Sequence, residues 1–375
     1  GYVMGSIFIS YYFFKEERTL NFIKLKLGKF ANYLKEIAGS GFSSSSTQLY
    51  LTLKLFIINI LLGIYVGKSG VVAFGICYNS LFILYIFLIG TAQTMSPIVS
   101  VYFKEEDYSG VDYVIKRSLK IVLAASLALS ALFIAYPQSL LMLYSVKNPA
   151  DVPVVLNALR IFALSYVGTA VTFLYTFYSQ AIQKNQLSTV ISLLEGLVLP
   201  IGFAIALSFL FGGNGIWISF ALAELLTILF IFAYSRYLNR KSDGKYSGFF
   251  INRHNEDNVF EHTINGDLNE AVSLSREVQE YLSGNKSAAI VALAIEEMLV
   301  NIINTNDDIN TIDLIVRDNE DNILISIKDT GIDFNPVIEN ANLKFDNISV
   351  LNNIADKIDY SRVLGLNSTV IRINK

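Results

Sequence analysis

A membrane all-α bundle of six helices, preceded by the end of another helix and followed by an α+β sandwich, is the architecture that this 375-residue sequence predicts. Three observations carry that prediction. The chain is 53% hydrophobic and only 16% charged, whereas soluble domains average about 25% charged residues. Apolar runs of spanning length recur as far as Ser235 and then stop. Beyond residue 246, acidic side chains outnumber basic ones about two to one, and short alternating runs replace the long apolar ones. The boundaries follow: a bundle over 1–240, a basic juxtamembrane linker over 241–254, and an α+β domain over 255–375.

The opening GYVMGSIFISYYFF is apolar from its first residue and lacks the basic start and small-residue cleavage site of a secretory signal. It reads as the tail of a helix inside a longer protein. A span needs about 20 mostly apolar residues. Six runs qualify: Leu49–Gly67, Val71–Val101, Ile121–Leu143, Val155–Ile182, Ser188–Phe211 and Ile216–Ser235. Lys15, Arg18, Lys24, Lys26, Lys29 and Lys35 precede the first; Lys104, Lys116, Arg117 and Lys120 follow the second; Lys184 follows the fourth; Arg236, Arg240, Lys241 and Lys245 follow the last. Only Lys68, Lys147 and Arg160 fall on the other side. By the positive-inside rule the basic loops and the tail are cytoplasmic, in a multi-pass protein of the plasma membrane.

Polar residues inside spans are costly and therefore informative. Lys54, Asn59, Gln93, Gln180, Glu195 and Glu224 are the ones singled out. Helix-to-helix hydrogen bonding accounts for such residues as readily as a transport path does. Glu195 and Glu224 are the path candidates, because a carboxylate in hydrocarbon binds a proton or a cation in preference to standing alone. Cys77 excludes an internal disulfide, and His254 and His262 are too few for a histidine-based zinc site. The acidic tail excludes a nucleic-acid partner, since phosphate binding needs a basic surface.

In the tail, a strand over Val259–Ile264 precedes helices over Leu268–Leu282 and Lys286–Asn304. TIDLIVRD and NILISIKD then alternate as a hairpin around Asn319–Asn322, a third helix covers Ser349–Lys357, and STVIRIN is a closing strand. Within the second helix, AIEEMLVNIINT buries Ile295, Met298, Leu299, Ile302 and Ile303 on one stripe. Glu297, Asn301 and Asn304 share the other face, where an isolated stretch would be a solvated one, and Glu296 reads as an outward charge. The hairpin ends in IKDTGIDFNP, with Asp329, Gly331, Phe334 and Pro336.

Two resemblances follow from these stretches. Gly90, Gln93, Ser96 and Pro97 in GTAQTMSPIVS, with Gln180, Ala181, Gly215, Trp217 and Glu224 further on, make residues 1–240 similar to the second half of multidrug and toxic compound extrusion (MATE) transporters. That resemblance implies a secondary antiporter exporting small amphiphiles against proton or sodium flow. A lipid-linked saccharide flippase of the same superfamily is the alternative. Family members often carry acidic coupling residues in the first and fourth helices of this half, where this chain has Lys54 and no acid.

The second resemblance joins E-x-x-x-N on a helix, a hairpin and D-x-G-x-x-F-x-P. It is strengthened by Asp356, Tyr360, Gly365, Asn367 and Thr369 in the final segment. Residues 255–375 thereby resemble the GHKL ATP-binding fold, nearest its anti-sigma-factor serine kinase branch. The resemblance implies ATP and Mg²⁺ as cofactors. Asn301 would be the magnesium ligand, Glu297 the general base, Asp329 the reader of the adenine amino group, Gly331 the close backbone approach and Thr369 the adenine-side hydroxyl. It also implies either a regulatory domain on the exporter, a serine/threonine kinase with a soluble regulatory partner, or a nucleotide-dead interaction module. Phe345 and Asn347 stand where the family's lid carries glycines, beside Asp346, which weakens the expectation of phosphoryl transfer.

Overall fold

The computed structural model of the chain describes residues 2–11, 27–146, 148–242, 246, 248–251, 258–305, 311–319, 321–332, 335, 355–363 and 365–375. Apolar helices come first: α1 (Tyr2–Tyr11), α2 (Leu27–Tyr65), α3 (Lys68–Lys104), α4 (Tyr108–Ala135), α5 (Gln138–Leu143), α6 (Asp151–Phe162), α7 (Tyr166–Ala181), α8 (Asn185–Leu193), α9 (Leu199–Phe211) and α10 (Gly213–Lys241). Among the described residues, six stretches of this bundle are long and apolar enough to cross a membrane, and they contain the six predicted spans almost entirely. Its burial fits hydrocarbon as the solvent: Ile86, Phe209 and Leu210 point outward, each more than 70% exposed, while Trp217, Tyr166 and Phe162 fill the centre.

Three spans depart from uniform helices, each for a local reason. The third begins at Tyr108 rather than Ile121, because Asp107 caps it by accepting the Gly110 N–H at 2.9 Å. It ends at Ala135 rather than Leu143, since Pro137 forces the residue before it out of helical geometry, and α5 is a separate turn. The fourth is divided by a 3₁₀ turn at Ala163–Ser165. In the fifth, Pro200 has no N–H to give the carbonyl four residues back, and a π-helical turn at Leu194–Val198 takes up the slack.

The part of the linker seen here is anchored. Phe250 and Ile251 are buried against the bundle, the Tyr178 hydroxyl donates to the Phe249 carbonyl at 2.7 Å, and the Ser235 hydroxyl donates to the Gly248 carbonyl at 3.1 Å.

The C-terminal part is a sheet with helices on one face. Its strands β1 (Val259–Ile264), β2 (Ile312–Asp318), β3 (Asn322–Asp329), β4 (Lys357–Val363) and β5 (Leu366–Asn374) lie in the order β1-β2-β3-β5-β4, all antiparallel. Helices α11 (Leu268–Tyr281) and α12 (Ala288–Thr305) close over the alternate residues Leu314, Ile325, Ile327 and Ile371. By length and composition α12 is also apolar enough to span a membrane, yet its apolar stripe is spent on this core. Of the predicted third helix, 349–354 lies outside the described residues, and Lys357 opens β4 instead. That edge strand escapes a hydropathy reading because Lys357, Asp359 and Arg362 interrupt its alternation, as charges on sheet edges commonly do. Gly365, at φ 86°, makes the turn into β5 in a region open to glycine.

Candidate functional site

Among the described residues, two of the places that bury acidic groups among polar partners hold the residues singled out from the sequence. In the bundle, Glu224 on α10 is 8% exposed and lies against α7, where the Thr169 hydroxyl donates to Oε1 at 2.9 Å and the Thr172 hydroxyl to Oε2 at 2.7 Å. The two helices touch because residue 168 is glycine: a Cβ there would stand 2.4 Å from the Glu224 Cβ. Glu195 sits on the π-helical turn, a distortion that often marks functional positions. Lys54 of α2 donates to the Glu195 carbonyl at 3.5 Å and acts electrostatically on both carboxyls, which in turn act on each other.

These three ionisable groups line one small cavity with Tyr78, Tyr85 and Thr169. Its volume of about 30 Å³ is room for a water or two or for one small ion. The predicted path candidates Glu195 and Glu224 are therefore brought together, with Lys54 as a third member. Thr169, Thr172 and Gly168 were missed. Their only trace in the sequence is the run of small and hydroxyl residues, Gly168-Thr169-Ala170 and then Thr172 and Thr176, along one apolar helix. Of the other span residues singled out, the Asn59 amide donates to its own helix at Leu55, the Gln180 amide donates to Ser188, and Gln93 is exposed.

In the sheet domain, Asp329 ends β3 opposite Asn367 of β5. Its Oδ1 accepts the Gly331 N–H and the Asn367 side-chain amide, both at 2.8 Å. The Asn367 oxygen accepts in turn from the Tyr360 hydroxyl and the Arg362 guanidinium, each at 2.8 Å. Thr369, two residues on from Asn367 and 2% exposed, shares that face by the pleat's period. Asp329, Gly331, Tyr360, Asn367 and Thr369 thus form one end of the sheet. Glu297 and Asn301 lie half-buried on the α12 face that the apolar core leaves over. Glu296 is not the outward charge expected: it is half-buried and accepts from the Ser275 hydroxyl of α11 at 3.1 Å. Phe345, Asp346 and Asn347 lie outside the described residues. No group of His, Cys, Asp and Glu side chains suited to a metal occurs among the described residues.

The MatE family model matches residues 44–209. No curated protein matches the chain. Among solved structures, a MATE protein in complex with MaL6 is similar at 21% identity and a TM-score of 0.55, covering 64% of this chain and 55% of that one. An outward-facing multidrug resistance MATE transporter of the MOP superfamily gives 20% and 0.56, over 64% and 54%. A MOP superfamily transporter from Pyrococcus furiosus Vc1 (DSM3638), described as having a binding pocket of reversed polarity that suggests a different function, gives 22% and 0.54, over 65% and 55%. The chain spans about half the length of each of these proteins. The bundle shares the fold of these MATE structures.

Proposed function

We propose that this chain works in small-molecule export as a MATE-type antiporter, with Glu195 and Glu224 as the groups that bind the coupling ion. The observation that carries this reading is the meeting of a buried carboxyl, Glu224, a half-buried one, Glu195, and one lysine in a cavity of about 30 Å³. Lys54 balances a single negative charge, and a second in low dielectric needs a proton or a small cation beside it. The cavity suits an ion and is far too small for an organic cargo of several hundred Å³. Cargo therefore runs along another surface of the bundle, and Glu195 and Glu224 act through ion occupancy. Efflux of a fluorescent organic cation from cells making the full-length protein tests this. Glu224→Gln is expected to cut efflux at least about tenfold, in line with the loss of an essential acid–base group; unchanged efflux would refute it.

The sheet domain, in this reading, is a cytoplasmic GHKL-type unit that binds ATP with Mg²⁺ and regulates export. The basic residues flanking the spans support the cytoplasmic side. The buried Asp329, held by Gly331 and Asn367 beside Thr369, has the hydrogen-bonding character needed to read an adenine edge. Asn301, half-buried on α12, supplies a hard oxygen for Mg²⁺, and Glu297 one turn earlier is the candidate base for a kinase activity toward a soluble partner. Titration of Mg·ATP into the full chain tests the site: binding should collapse in both Asn301→Ala and Asp329→Asn. Absence of binding to the folded chain would leave an interaction module.

A further inference from the structure

The acidic loop joining α3 to α4 contacts the sheet domain through residues more than 200 positions away. Glu105, 1% exposed, accepts the Ser368 hydroxyl of β5 at Oε1 and meets the Lys328 ammonium of β3 at Oε2, both at 2.7 Å. Glu106 takes the Arg372 guanidinium at 2.6 Å and the Asn319 amide at 2.8 Å. Arg317 of β2 donates to the Glu105 carbonyl at 3.3 Å and lies 3.7 Å from Asp107. The turn is built to present these groups: Glu106 is held in left-handed geometry at φ 54°, between the end of α3 and the capping Asp107.

The receiving surface is the sheet face away from α11 and α12. Lys328 and Ser368 are a cross-strand pair facing the loop, and the next rung, Asp329 and Asn367, faces the other way into the candidate nucleotide site. We propose that the Glu105–Asp107 loop is the intramolecular partner of this sheet face, and that the paired strands β3 and β5 carry the ligand state of the sheet domain to the bundle. The second half of this inference rests on the nucleotide reading above; the first half does not.

Spin labels on cysteines at Lys116 in α4 and Lys357 in β4, both exposed, report the docking in the full chain, where the native Cys77 is buried. One narrow distance distribution is expected. Glu106→Lys or Arg372→Glu should broaden it, and the two together should restore it. A broad distribution in the unaltered loop, no response to either reversal, or no restoration in the pair would overturn the docking. By linkage, Glu106→Lys should also change Mg·ATP affinity at least about fivefold. Binding at unaltered affinity would overturn the coupling and leave the docking intact. Absence of any ATP binding would overturn the nucleotide reading together with the coupling, and the distance distribution would still decide the docking.

Discussion

Glu224 in the bundle and Asp329 in the sheet domain are both buried carboxylates, 8% and 4% exposed, and they are satisfied in different ways. Asp329 sits at a strand end, where the chain turns and a backbone N–H, that of Gly331, is available to it. Glu224 sits in mid-helix, where every nearby N–H is already committed to the helix ladder, so its donors must be side-chain hydroxyls from another helix. One acid is held locally and the other by tertiary packing. The bundle site therefore depends on how closely two helices approach, and the sheet site on the conformation of a few consecutive residues.

Tests of that contrast can be ranked by expected size. Removing the Glu105 carboxylate by Glu105→Ala strands Lys328 and Ser368 at the junction of the two parts. It should cost about 3–5 kcal/mol of the stability that chemical denaturation reads, as when one partner of a buried ion pair is deleted. Gly168→Ala drives a methyl to within 2.4 Å of the Glu224 Cβ and should cost about 1–3 kcal/mol in thermal unfolding of the detergent-solubilised protein. Thr172→Val deletes one donor to Glu224 while keeping the shape and should cost about 1–3 kcal/mol. Asp329→Asn keeps an acceptor for Gly331 and should cost no more than about 1 kcal/mol of stability, while the proposed ATP binding should be lost. A larger loss in Asp329→Asn than in Thr172→Val would break the contrast. The smallest effect belongs to Lys184, whose ammonium burial pushes below its usual range while it stands 4.9 Å over the Tyr246 ring. Lys184→Gln should change stability by less than about 1 kcal/mol, because lost desolvation and lost cation–π attraction offset.

The same contrast explains what could be read from the sequence. Every predicted span lies largely on bundle helices, because hydrocarbon selects long apolar runs without regard to what they pack against. The strand Asn322–Asp329 is legible to the residue from its alternation, and the strand at Val259–Ile264 is found where the sequence places a short one. Asp329 and Gly331 announce themselves together since donor and acceptor lie two positions apart. The partners of Glu224 lie 55 and 52 positions away, at Thr169 and Thr172, and no local pattern connects them. Lys54 read as a departure from the expected acidic residue; its place beside Glu195 emerges only when α2 meets the π-helical turn. The contact of Glu105 with Lys328 and Ser368 was equally hidden, because a short acidic loop between helices reads as solvated charge.

The most direct test of the carboxylate pair is proton movement in vesicles containing the full-length protein and a pH-sensitive dye, on addition of a transported organic cation. The expected result is cation-driven proton release that disappears in Glu224→Gln and in Glu195→Gln, or, with sodium as the coupling ion, the same pattern in sodium flux. Ion movement equal to that of the unaltered protein in both variants would contradict a coupling role for the pair.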